Sequence, residues 1–240
     1  MTSTKRPLLL GHRGARLPQV PENRIAAFDF ALQAGCDGFE FDVRCSKDRQ
    51  LVVVHDARLC GLEVAGSTYA ELQQGWQERV LPKLPLKQRR ALTHEQLALT
   101  CLQNVLQRYG RRAFLDVELK VEGLEGAVLQ TLTDHRPHRF VVSSFLPQVL
   151  ADVHQRDEQV PLGLICENAR QLAQWPKLPV SIVIPHYKLA TKELIEDLHE
   201  ASKEVIVWTV NREKGVRCLV EWGVDGIVSD DPEMLVRSVA

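Results

Sequence analysis

The sequence predicts a closed (β/α)8 TIM barrel with a short insertion after its second strand. Short apolar runs alternate with amphipathic segments almost from end to end, the pattern of parallel strands joined by helices. Eight such pairs fit in 240 residues, close to the roughly 250 of a typical barrel. The first turn reads Gly11-His12-Arg13-Gly14, not the Gly-x-Gly-x-x-Gly phosphate loop that an open doubly wound sheet would place there.

The strand-like runs are Leu8–Gly11, Gly38–Val43, Ala113–Leu119, Phe140–Ser143, Pro161–Ile165, Val180–Ile184, Val205–Val210 and Gly226–Val228. A valine-rich extended stretch, Leu51–His55, follows the second of them. Helix-like segments are Arg24–Ala34, Thr93–Tyr109, Leu124–Asp134, Pro147–Gln155, Ala169–Trp175, Thr191–Ala201, Glu213–Trp222 and Pro232–Val239. Thr93 with Gln96 forms a capping-box pattern, and Pro147 and Pro232 suit a first helical turn. Residues 56–92 are the least regular part and read as the insertion, with a short helix near Tyr69–Trp76. Residues 1–240 together read as one barrel domain.

The hydrophobic fraction of 45% and charged fraction of 25% exclude a disordered chain, a collagen and a disulfide scaffold. Thirty basic residues against 31 acidic ones leave a net charge of −1, so no bulk field favours nucleic acid or an anionic membrane. No apolar run approaches the roughly 18 residues of a membrane-spanning helix. Leu8–Leu10 is too short for the apolar core of a signal peptide. The six cysteines show no Cys-x-x-Cys pair and read as reduced thiols. The expected location is cytoplasmic, with no stable membrane association.

Barrel active sites lie at the C-terminal ends of the strands, so the polar residues there are the candidates. Glu40 and Asp42 are two apart on one strand and project from one face, while Phe39, Phe41 and Val43 take the other. Glu118 on the next strand supplies a third carboxylate. Side-by-side carboxylates repel unless neutralised, and an all-oxygen set suits Mg²⁺ or Ca²⁺ better than zinc. Arg13 and Lys120, at the ends of their strands, add a cationic pocket suited to a phosphate ester. His12 and His55 are the candidate acid and base, since imidazole titrates near neutral pH. His186 follows the sixth strand and is a weaker candidate. Trp208 reads equally as a substrate wall or as barrel core, and Ser143 and Ser144 read as structural.

These residues together resemble the glycerophosphodiester phosphodiesterase family, in its bacterial soluble type. The resemblance runs in order through Gly11-His12-Arg13-Gly14, Pro21-Glu22-Asn23, Gly38-Phe39-Glu40-Phe41-Asp42-Val43 and Val52-Val53-Val54-His55-Asp56. It continues through Glu118-Leu119-Lys120, Ser143-Ser144-Phe145, Trp208-Thr209-Val210-Asn211 and Gly223 to Pro232. It implies a metal-dependent enzyme that cleaves a small-molecule glycerophosphodiester, such as glycerophosphocholine or glycerophosphoethanolamine, to sn-glycerol 3-phosphate and an alcohol. By position it implies Glu40, Asp42 and Glu118 as metal ligands and His12 and His55 as the catalytic pair. Arg13 and Lys120 fall at phosphate-contacting positions, Glu22 and Asn23 in a loop beside the metal, and Trp208 against the glycerol. A cyclic phosphate intermediate is also implied. Arg24, Arg49 and Asp116 depart from the pattern, which commonly has Thr, Gly and Asn there. Two other readings remain beside it: a barrel phospholipase that meets lipid through its mouth, and a non-catalytic glycerol-phosphate binder. The sequence leaves open a homo-oligomer formed through the outer helices.

Overall fold

The computed structural model describes residues 6–17 and 20–239. Its strands are β1 (Leu8–Gly11), β2 (Gly38–Cys45), β3 (Leu51–Val53), β4 (Arg58–Leu59), β5 (Leu62–Glu63) and β6 (Phe114–Leu119). They continue as β7 (Arg139–Ser144), β8 (Leu162–Cys166), β9 (Ile182–Pro185), β10 (Glu204–Val207) and β11 (Gly226–Ser229). Parallel pairing runs β1-β11-β10-β9-β8-β7-β6-β2, and a β1–β2 pairing closes the circle. This is the eight-stranded barrel that the β/α alternation predicts.

The two faces of β2 show why the chain folds this way. Phe39 and Phe41 point outward and meet Phe28 of the helix Ile25–Ala34, with the Phe28 and Phe39 rings stacked at 4.2 Å. Tyr109, from the helix Leu102–Tyr109, packs edge-on against Phe39 at 5.1 Å. Aromatic pairs of this kind add to the stabilisation from burial alone. On the inner face, Leu10, Phe114, Val141, Ile165, Ile206 and Val228 fill the barrel. Parallel register sets Glu40 beside Asp116 and Asp42 beside Glu118. Four acids therefore stand above an apolar plug. Gly38 permits the β2–β6 approach, since a Cβ there would collide with the Phe114 backbone.

Two expectations need correction. The helix expected over Thr93–Tyr109 is two helices, His94–Leu97 and Leu102–Tyr109. The Thr93–Gln96 capping box forms as read. The chain then breaks because Thr100 accepts a hydrogen bond from Val53 N–H at 2.8 Å and Cys101 bridges Val52. The β3 edge thus recruits residues whose periodicity predicts a helix. The run Val205–Val210 ends as a strand at Val207, although Val210 N–H still bonds the Val228 carbonyl at 2.9 Å. In residues 56–92, Trp76 is buried and donates from Nε1 to the Leu97 carbonyl at 2.7 Å.

That segment carries the β4–β5 hairpin and the helix Tyr69–Arg79, which starts at a complete Thr68–Glu71 capping box. It packs on β3 through Val52, Val54, Val64, Leu72 and Leu99. Among the described residues, no helix is long and apolar enough to cross a membrane.

Candidate active site

Glu40, Asp42 and Glu118 each bring one carboxylate oxygen to within 4.8 Å of the others. All three are buried. Burial, with the charges of Asp42, Glu118 and Asp116, pushes Glu40 well above the usual carboxylate range. Burial and the Asp42 charge carry Glu118 to about 8, against the pull of Lys120. Asp116, deeper in the barrel, is pushed by burial to about 7 although Ser143 donates to it. Asp42 moves the other way: burial would raise it, but Lys120, Arg13 and the Asn23 amide hold it low.

Two oxygens in this cluster, Glu40 Oε1 and Asp42 Oδ1, are buried and accept no hydrogen bond. Buried polar atoms rarely stay unpaired. Three converging carboxylates, two of them with a buried oxygen that accepts no hydrogen bond, fit a hard divalent cation, which takes oxygen ligands.

The two basic candidates both reach the cluster. Arg13 N–H donates to Glu40 Oε2 at 2.9 Å, and its Nε lies 3.3 Å from Asp42 Oδ2. Its Nη1 bonds Glu22 Oε1 at 2.7 Å, and Arg16 holds the other Glu22 oxygen at 2.6 Å. Lys120 Nζ sits 2.6 Å from Glu118 Oε1 and 3.3 Å from Asp42 Oδ1. Asn23 Nδ2 donates to Asp42 Oδ2 at 2.7 Å. The Gly11–Gly14 turn aims Arg13 inward; Arg13 has φ 51° and Gly14 φ 79°, and a Cβ on Gly11 would strike the Gly14 carbonyl.

His12 and His55 both face this cluster's cavity. His12 Nε2 lies 3.7 Å from Glu40 Oε2, and its Nδ1 lies 2.7 Å from Asp230 Oδ1. His55 Nδ1 lies 2.7 Å from Asp56 Oδ1. Burial pulls His55 below its ordinary pKa, partly opposed by Asp42. Asp230 lies within the Gly223–Pro232 stretch, to which the sequence alone gives no site role. Burial would raise its pKa, but His12, Asn211 and Arg16 hold it below the carboxylate range. Asn211 Nδ2 donates to Asp230 Oδ2 at 2.6 Å, and Asn211 Oδ1 accepts from Asp230 N–H at 2.9 Å. Its place just after β11, at the same barrel rim as the other candidates, is the signal the sequence carries for it.

The cavity is about 460 Å³ and is lined by His12, Arg13, Glu40, His55, Asp116, Glu118 and Lys120 on its polar side. Phe145, Ile165, Ile184, Trp208 and Val228 form the apolar wall, with Glu167 and Gln171 on the rim. Trp208 is both wall and core: it lines the cavity, packs edge-on to Phe145 at 5.4 Å, and donates from Nε1 to Ile184 O at 3.0 Å. His186 packs edge-on to Trp208 at 5.4 Å, behind the wall. Ser143 serves Asp116, and Ser144 Oγ donates to the Leu119 carbonyl at 2.8 Å.

Known proteins match this sequence and this fold. A glycerophosphodiester phosphodiesterase of Caldanaerobacter subterraneus subsp. tengcongensis is 29% identical, over 97% of this chain and 97% of its own. One of Bacillus altitudinis is 30% identical over 95% of this chain and 96% of its own. A solved phosphodiesterase from Oleispira antarctica, in complex with the product sn-glycerol-3-phosphate, superposes with a TM-score of 0.80 at 24% identity. That superposition covers 97% of this chain and 96% of that one. Residues 12–234 match the model of the glycerophosphoryl diester phosphodiesterase family, and the chain belongs to that family.

Proposed function

We propose that this chain is a metal-dependent glycerophosphodiester phosphodiesterase that releases sn-glycerol 3-phosphate and an alcohol. Glycerophosphocholine and glycerophosphoethanolamine are the proposed substrates. The observation that carries the reading is one cavity in which Glu40, Asp42 and Glu118 converge between His12, His55, Arg13 and Lys120.

Glu40, Asp42 and Glu118 would hold the divalent cation, Mg²⁺ or Ca²⁺. When bound, the cation supplies Lewis-acid polarisation of a phosphate oxygen and offsets charge developing at phosphorus. Asn23 orients Asp42, and Glu22 holds the Arg13 guanidinium from the far side. Arg13 and Lys120 carry the positive charge that draws the phosphodiester into the cavity. Trp208 offers a flat face to the glycerol carbons.

His12 and His55 divide the proton transfers. One imidazole takes the proton from the attacking hydroxyl, which is the neighbouring glycerol hydroxyl on the cyclic route. The other gives a proton to the leaving alcohol oxygen as its bond to phosphorus breaks. Reversing these transfers lets water open the cyclic phosphate to the monoester.

A near-neutral net charge and six free cysteines support action in the cytoplasm on a small molecule. The test is sn-glycerol 3-phosphate release from both diesters by protein stripped with EDTA and resupplied with Mg²⁺ or Ca²⁺. Turnover that returns with one ion is the expected result. No turnover with either ion on either diester would overturn the reading.

A further inference from the structure

Arg24 opens the helix Ile25–Ala34, yet its side chain is buried to 2% exposure. Its charge is met by two carbonyl oxygens and an aromatic face. Nη1 donates to Asn23 O at 2.7 Å and to Val53 O at 3.0 Å. Its Cζ sits 4.0 Å over the Trp76 ring, and its Nε is buried without a partner. Burial lowers its pKa to about 10, so the side chain stays charged near neutral pH. A desolvated cation held this way is costly by itself, and only the contacts it makes offset that cost.

It joins three segments that meet at the candidate site. Asn23 stands at φ 58° and presents its amide to Asp42, donating to Oδ2 at 2.7 Å and accepting from Asp42 N–H at 3.4 Å. Val53 lies two residues before His55, and the next residue, Val54, donates its N–H to the Asp42 carbonyl at 3.0 Å. Trp76 belongs to the helix Tyr69–Arg79 of the insertion and is itself anchored to Leu97. Removing the guanidinium would leave two buried carbonyls without their donor and the indole without its cation.

We propose that Arg24 is a positioning residue: it clamps Asn23 and the β3 segment to the insertion helix and, through Asn23, fixes Asp42 for divalent-cation binding. The proposal rests on the reading of Glu40, Asp42 and Glu118 as a cation site. It gives the insertion a task, holding the Asn23 loop against the barrel.

The test is a double-mutant cycle read by calorimetric titration of Mg²⁺ or Ca²⁺ into Arg24→Met, Asn23→Ala and the double variant, with melting temperature measured alongside. Arg24→Met is expected to weaken ion binding by about tenfold, the scale of losing an outer partner of a metal ligand. Asn23→Ala should do the same, and the double variant should be no weaker than the weaker single one. Arg24→Lys keeps one donor and should fall between wild type and Arg24→Met; it gives the same comparison should the methionine variant fail to fold. An ion affinity unchanged in the Arg24 variants, with only a lower melting temperature, would overturn the proposal and leave Arg24 a staple. Multiplying effects in the double variant would overturn the route through Asn23. Absent ion binding by the wild-type protein would overturn the cation-site reading first, and this proposal with it.

Discussion

His12 Nδ1 lies 2.7 Å from Asp230 Oδ1, across 218 residues of sequence. Asp230 is held ionised by its neighbours and can therefore only accept. The ring proton of neutral His12 then sits on Nδ1, and Nε2 is left as a lone pair toward Glu40 and the cavity. Asn211 fixes the other Asp230 oxygen, so the imidazole is oriented by a braced carboxylate. Asp230→Asn keeps the shape and removes the charge. It should lower kcat by about tenfold or more while KM changes little, and never by more than loss of His12 itself. Steady-state kinetics check this, and ¹⁵N NMR of His12 should show the tautomer shifting in the variant.

The two histidines differ in setting. His12 is nearly enclosed, whereas the His55 side chain is 35% exposed and paired with the more exposed Asp56. If both move protons in the same turnover, each is indispensable on its own. His12→Ala and His55→Ala should each lose at least about a hundredfold in kcat. Ion affinity should stay close to wild type, since neither ring is among the cluster's carboxylates. A variant that retains full activity would remove that ring from the proton transfers.

Much of this arrangement is legible in the sequence because it is periodic. Alternation along β2 separates Phe39 and Phe41 from Glu40 and Asp42, and parallel register then brings Glu118 level with Asp42. What is not legible depends on contacts made after closure. Asp230 reaches His12 only because β11 pairs with β1. The break between Leu97 and Leu102 follows from the open edge of β3, which pairs with residues at 100 and 101. A buried Arg24 contradicts residue-type expectation, and only the Trp76 face and two carbonyls make it tolerable.

The carboxylate cluster sets a pH dependence with a definite sign. Glu118 is raised to about 8 and Asp116 to about 7, both chiefly by burial. An acid raised in the fold is easiest to accommodate while protonated. Its contribution to stability is therefore lost as pH climbs from its unfolded value, 4.5 for Glu118, through about 8. A divalent cation needs the ionised form, so its affinity should rise between about pH 6 and 9, with proton release on binding. Calorimetry in two buffers of different ionisation enthalpy measures those protons. The melting-temperature gain on adding ion should likewise grow with pH; a gain that shrinks would contradict the assignment of Glu118.

Trp208 separates substrate packing from chemistry. Its indole lies 6.5 Å from the His12 ring, centre to centre, and meets Phe145 edge-on. It is anchored through Nε1 to Ile184 O, so the wall is rigid before substrate arrives. Trp208→Leu preserves apolar character but removes the flat face and the anchoring bond. With Trp208 packed on the glycerol carbons as proposed, losing that contact weakens ground state and transition state alike, which raises KM and spares kcat. We expect KM to increase by about tenfold, the worth of roughly 1.4 kcal/mol, with kcat within about threefold. The same variant should lose little discrimination between glycerophosphocholine and glycerophosphoethanolamine, because a wall against glycerol touches the half that the two diesters share. A kcat collapse with unchanged KM would instead place Trp208 among the groups that hold His12 in register.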